Sequence, residues 1–396
     1  MRHSDILVPQ RWFITEAKVR IEHPEDLIFT ERSRGAIRAL NAMIHAAEDP
    51  HTVSIKWDGS PALIFGRDYD NGLVLTDKSG FNSKKTGGMP RSIEGVKQML
   101  FMRKPDQPGR SEYAISISNL YPLLNKAVPL SFKGYLQGDV LWTSRPPIVN
   151  GNYVFTPNKI TYSIPLNSPL LAMLLPSGLF RGNNIANSAA GIVVHSQFDG
   201  QDNEDSRAIN NVNKLGLTNV PGLLIMGPNV GNLESTPLPS NTKSSITAMI
   251  QNSAIAIDEF LDPVALNAAQ LTDLGSKMKQ YVAYRSSRGI NGLADAAHGF
   301  ISWISSLDSK LTDRKQKNML DWIKTHQHGY IAIWQIAEQL SDLKDLIRSG
   351  VDRQVGTNIG AELRGQQGHE GYVADTPSGK IKLVNRPHFM RKDITL

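Results

Sequence analysis

The feature that most constrains the fold is a change of hydrophobic period along the chain. Up to about residue 200 the apolar runs are only a few residues long and are separated by turn formers, a pattern of short strands. Strands are expected at 53–55, 62–65 and 73–76, with Asp70-Asn71-Gly72 closing a hairpin between the last two. Further strand patterns lie at 131–142, at 153–164 on both sides of Pro157-Asn158, and at 191–195. One helix is expected early, over 35–46, with Ile37, Leu40 and Ile44 on one face. Between 245 and 349 the period becomes helical, in the sets Leu266, Leu274, Met278, Val282; Leu293, Ala297, Phe300, Ile304, Leu307; and Ile331, Trp334, Ala337, Leu340. Asp262-Pro263 reads as an N-cap followed by a first-turn proline. After Gly350 the strand texture returns at 371–374 and 380–384. An α+β fold with antiparallel sheets and an inserted bundle of four or five helices follows, divided at 1–240, 241–350 and 351–396.

The chain has no cysteine, which excludes disulfides, thiolate metal sites and a cysteine nucleophile. A formal net charge of +6 suits a polyanionic partner without requiring one. No run approaches the roughly 18 apolar residues of a membrane span, and MRHSDILVPQRWF lacks a signal-peptide core. The expectation is a soluble, cytoplasmic, monomeric protein with no membrane partner.

Four polar islands stand among the strand patterns: Lys56 with Asp58, Asp139, Glu370, and Lys380 with Lys382. Lys380 and Lys382 alternate along a strand and so share a face. Two lysines on one face usually face solvent, and Asp58-Gly59 could be a simple turn. The other reading is chemical. A lysine can attack a phosphorus centre, carboxylates can hold a divalent cation, and paired lysines can offset phosphate charge.

The chemical reading gains from a resemblance. Lys56-Trp57-Asp58-Gly59 resembles the first motif of the covalent nucleotidyltransferases, the ATP-dependent DNA and RNA ligases and the mRNA capping enzymes. Gly138-Asp139-Val140-Leu141 resembles their third motif, Glu370-Gly371-Tyr372-Val373 the fourth and Lys380-Ile381-Lys382-Leu383 the fifth, in the family's order. The chain as a whole looks most like bacteriophage proteins near the RNA-ligase branch. The resemblance covers about residues 20–200 and 365–390 and is silent about the helical segment.

What this implies is an ATP-grasp-like nucleotidyltransferase domain using ATP and magnesium, or manganese, on RNA or DNA ends. Lys56 would form the phosphoramidate. Asp58, Asp139 and Glu370 would serve the metal, and Asp58 would also orient the lysine. Lys380 and Lys382 would contact phosphate. Ile55, Gly59, Ser60 and Lys78 would join nucleotide binding, with Gly59 permitting close approach. Phe155 is the candidate for stacking on the base, with Tyr153 and Tyr162 competing. Lys78, Lys84 and Lys85 form a basic stretch suited to phosphate contacts. His195 and His369 are marginal, and Gly191–His195 is expected to be structural because Ala190 stands where a metal-binding glutamate would belong.

The chain departs from the family at Pro61, where DNA ligases carry arginine, and the stretch after Lys382 is too short for an oligonucleotide-binding-fold domain. The leading expectation is a polynucleotide ligase, acting through lysyl-AMP and joining 5′-phosphate to 3′-hydroxyl ends in nucleic-acid repair. The alternatives are a relative that caps or adenylates an end or a protein without sealing, and a non-catalytic phage nucleic-acid-binding protein.

Overall fold

A computed structural model describes residues 21–83, 88–168, 185–199, 207–209, 212–228, 233–356, 359–363, 365–368 and 370–390. Among them the strands form three sheets. The first is small, with β1 (Val53–Ile55) beside β13 (Gly371–Thr376) and β13 beside β14 (Gly379–Val384). The second runs β10-β8-β4-β2-β3, through Leu223–Met226, Ala190–Phe198, Gly134–Trp142, Ala62–Arg67 and Leu73–Asp77, with β9 (Arg207–Ala208) added on β8. The third runs β12-β11-β7-β6-β5, through Gln366–Gln367, Gly360–Leu363, Thr161–Pro165, Asn152–Phe155 and Ile148–Val149. The pairings are antiparallel apart from β8 with β10.

The hairpin expected at Asp70-Asn71-Gly72 joins β2 to β3. The Asp68 carboxylate accepts the backbone N–H groups of Asp70 and Gly72, both at 3.0 Å, and Asn71 takes the left-handed conformation that asparagine tolerates, at φ 60°. Alternation then sorts β2 by face. Leu63 and Phe65 pack with Val96, Leu100, Ile117 and Leu124, while Ile64 packs with Phe81 and Phe198 on the other face. The packing partners come from helices Ile93–Met102, Arg110–Ser118 and Leu120–Ala127, which the sequence reading did not anticipate. They are short, and Arg110–Ser118 buries only Ala114, Ile117 and Ser118, too few positions for a visible period. Lys78–Phe81 is a single helical turn capped by Asp77, whose carboxylate accepts Gly80 N–H at 2.8 Å.

The expected early helix is the straight part of α1 (Leu27–Glu48), which breaks at Arg32. Asp258 satisfies the freed backbone there, accepting Ser33 N–H at 3.0 Å and Ser33 Oγ–H at 2.9 Å. The buried stripe Ala36, Ala39, Leu40, Met43 and Ala47 faces the Thr242–Phe260 and Gln327–Val355 helices, while the same helix touches β13 and β14. The 241–350 segment therefore shares one continuous core with the first sheet. Its helices follow the expected periodicity, and Asp262 caps Pro263–Ala268 through Val264 N–H and Ala265 N–H. Two expected core positions differ: Leu307 lies past the end of Ala296–Ile304 and is exposed, and Ile331 is exposed on the Gln327–Val355 helix. No helix among the described residues is long and apolar enough to cross a membrane.

Candidate active site

Strand β1 is three residues long, and its pairing with β13 decides where Lys56 goes. Ser54 lies opposite Val373 and Ile55 opposite Tyr372. The next backbone bond, Lys56 N–H to Gly371 O at 3.0 Å, sets Lys56 against the start of β13. Glu370 directly precedes that strand, and its Oε1 accepts the Lys56 ammonium across 314 residues of sequence. The lysine side chain stays 29% exposed and the glutamate 16%, so neither is sealed from solvent.

Lys56 opens onto a cleft of about 170 Å³ between the first two sheets. Lys56, Val373, Asp375 and Lys380 line it from one side, and Asp139, Val193 and His195 from the other. Lys56, Asp139 and Lys380 are thus brought together at one cleft. Lys380 Nζ lies 3.8 Å from Asp375. Lys382 pairs with Val373 in register, and its charge acts on Glu370.

Burial is the largest influence on the Glu370 carboxyl and pushes it above the ordinary glutamate value, against the opposing pull of Lys56 and then Lys382. A carboxyl raised in this way binds a proton more readily folded than unfolded. Its contribution to stability is therefore fully present below the unfolded value of 4.5 and is lost as pH rises through the folded value. Glu370→Gln removes this loss. Its melting temperature at neutral pH should match or exceed that of the parent, and the difference should vanish as pH falls below 4.5. A clear drop at neutral pH would show that the ionised pair is a net stabiliser and refute this.

Asp58 has a different task from the one expected. Its Oδ1 accepts Asn158 Nδ2–H at 2.9 Å, and its Oδ2 accepts the backbone N–H groups of Lys159 at 2.8 Å and Ile160 at 3.1 Å. Its own N–H donates to Tyr162 Oη at 2.8 Å. The carboxylate therefore clamps the β6–β7 turn against the Lys56 loop, and little acceptor capacity remains for a cation. Asp58→Ala should cost about 1–2 kcal/mol in urea unfolding, because the Ile160 N–H loses its acceptor. A change below a few tenths of a kcal/mol would remove the clamp.

Most of the other expected site residues fall outside the cleft. Gly59 does make a close approach, but to β4: a Cβ there would stand 2.4 Å from Asp139 Cβ. Ser60 is exposed and its N–H donates to Val140 O at 2.9 Å. Ile55 lines the cleft, but its side chain is buried and its N–H donates to Pro228 O at 2.9 Å. Phe155 is buried among Trp57, Trp142 and Tyr162, with ring centroids 4.9–6.4 Å away, and does not line the cleft. Burial also keeps the Tyr162 hydroxyl protonated by pushing its pKa up. Lys78 is exposed on its helical turn, away from the cleft lining. Lys84, Lys85 and His369 lie outside the described residues.

Sequence reasoning missed Trp57 and Asp375 as cleft residues and undervalued His195. The His195 Nε2 atom is 3.6 Å from Asp139 Oδ2, and Nδ1 is 3.0 Å from Ser196 Oγ. Strand β13 runs on past the expected 371–374 and through Asp375, so Val373 and Asp375 share the cleft face. Alternation would have paired Val193 with His195 and Val373 with Asp375, had the strand ends been known. Among the described residues no group of three or more His, Asp or Glu is placed to hold a metal ion. Asp58, Asp139 and Glu370 do not form the joint ligand set expected of them.

The sequence pattern of a family described as "Family of unknown function (DUF6267)" matches residues 19–396. The chain belongs to the DUF6267 family. No curated protein and no solved structure matches it. The DUF6267 match spans the first sheet, the cleft and the helical segment alike, so these parts belong to one family unit.

Proposed function

We propose that this protein is an ATP-dependent nucleotidyltransferase of the polynucleotide-ligase type, with an ATP-grasp-like arrangement of its first two sheets and Lys56 as the nucleophile. The observation that carries the reading is convergence. Lys56, Asp139, Asp375 and Lys380, scattered over more than three hundred residues, line one cleft between two sheets, and Glu370 accepts the Lys56 hydrogen bond beside it. Structural requirements alone give no reason to gather two lysines and two carboxylates there.

ATP enters as substrate, with its phosphates at the cleft mouth beside Lys56 and Lys380. An ammonium has no lone pair, so Lys56 must first lose a proton. Glu370 accepts its hydrogen bond and is the adjacent acceptor, and a carboxyl raised by burial is better suited to that than an ordinary one. The Lys56 nitrogen then bonds to the α-phosphorus, and the α–β phosphoanhydride breaks to release pyrophosphate. Lys380 and Lys382 offset charge that develops on the phosphate oxygens. Magnesium is usually held by one or two carboxylates together with substrate phosphates, and Asp139 and Glu370 fit that donor set. The ion would neutralise phosphate charge. In the second half of the reaction AMP passes to a 5′-phosphate, and a 3′-hydroxyl displaces it.

The test is incubation with α-labelled ATP and magnesium without acceptor. The expected product is protein carrying label that is stable to alkali, released by mild acid, and mapped to Lys56. Label on another residue, or none with either ATP or GTP, would overturn the reading. Adding 5′-phosphorylated and 3′-hydroxyl ends then separates joining from adenylation alone; adenylated ends that are never joined would leave the nucleotidyltransferase and remove the ligase.

A further inference from the structure

A second cavity, of about 200 Å³, lies where the Leu274–Ser287 and Gln327–Val355 helices meet the chain just after β14. Four cationic side chains line it, Arg285, Lys344, Arg348 and Arg386, against two carboxylates, Glu25 and Asp345. Most of these charges are matched. Lys344 Nζ meets Glu25 Oε1 at 2.5 Å, Arg386 Nη2 meets Asp26 Oδ2 at 2.5 Å, and Arg348 pairs with Asp345 and Asp352.

Arg285 is the exception. It is 9% exposed, and its guanidinium donates only to neutral oxygens: Ala294 O at 3.0 Å, Gly292 O at 3.4 Å and Tyr281 Oη at 3.4 Å. Its Nε has no hydrogen-bond partner, and among the described residues it has no carboxylate partner. A buried guanidinium without an anion is costly, so a site that keeps one has a use for an anion. The cavity has room, since a water occupies about 30 Å³ of liquid.

We propose that this cavity binds a phosphate group, held by Arg285 and Arg348 with Lys344 and Arg386 behind them. Planar guanidinium forks suit phosphate oxygens better than they suit a halide. The source is a backbone phosphate of a polynucleotide. The cavity begins at Asn385, three residues beyond Lys382 on an extended strand, or about 10 Å. That is the reach of one or two nucleotides from the phosphate-binding lysines. The choice of source rests on the proposed nucleotidyl transfer, whereas the phosphate site itself does not.

Isothermal titration of the full chain with inorganic phosphate, and separately with a 5′-phosphorylated oligonucleotide, tests this at fixed ionic strength. Both should bind, and Arg285→Gln should weaken both by about tenfold or more. Arg348→Gln, at a partly exposed position, should weaken both in the same direction if the buried variant fails to fold. No phosphate binding, or binding unchanged in both arginine variants, overturns the site. Loss of phosphate binding with oligonucleotide affinity unchanged overturns the polynucleotide as its source. Failure of Lys56 labelling with phosphate binding intact would refute the transfer reaction and leave this site standing.

Discussion

Lys56→Ala is expected to lower covalent nucleotide incorporation by about 10³-fold or more while leaving the melting temperature within about 3 °C of the parent. Both halves follow from where the side chain sits. The Lys56 backbone is fixed by Gly371 O, but its side chain contributes to no apolar core and has Glu370 as its hydrogen-bonding partner. Removing it takes away the main charge that favours ionised Glu370, so that carboxyl, already raised by burial, shifts further up. The fold thus loses the proposed nucleophile and keeps its packing. Incorporation that survives in Lys56→Ala would end the assignment. A collapse of the melting temperature would instead make Lys56 a structural residue.

Lys344→Ala is expected to have the largest effect on stability, about 3–5 kcal/mol at neutral pH. Lys344 and Glu25 are 3% and 1% exposed, and their ion pair ties the segment before α1 to the Gln327–Val355 helix. Burial opposes ionisation of Glu25, but Lys344 and then Arg386 outweigh it and hold the carboxyl well below its ordinary value of 4.5. A carboxyl depressed in this way stabilises the fold above its unfolded value, and the stabilisation is lost as pH falls below 4.5 toward the folded value. Removing Lys344 leaves Glu25 buried with less compensation, so the deficit should be full at neutral pH and narrow as acid protonates Glu25. Urea unfolding of parent and variant across that range reads this directly. A deficit that does not narrow in acid would assign the loss to packing of the lysine stem rather than to the pair.

The hairpin at Asp70-Asn71-Gly72, the Asp262 cap, the alternation of sheet and helix texture, and the islands around Lys56, Asp139, Glu370 and Lys380 were all legible. Each is recorded in residues close together: a turn needs its own asparagine and glycine, and a helix needs its own apolar period. The helices between residues 93 and 127 were not legible, because they are short and bury few side chains against the second sheet. Site roles that depend on distant partners were hidden as well. Nothing near Asp58 says that its acceptors serve a turn a hundred residues on, and nothing near Phe155 says that three aromatic rings enclose it.

The sequence by itself determined which ionisable groups the chain offers, a lysine beside carboxylates and a lysine pair on one strand face, and the α+β class that holds them. The tertiary structure decided which of those groups meet. Register is the physical reason: a one-residue slip of β1 on β13 would turn every side chain to the opposite face. In the observed register Glu370 lies against Lys56, and Val373, Asp375 and Lys380 face the same cleft as Asp139 and His195.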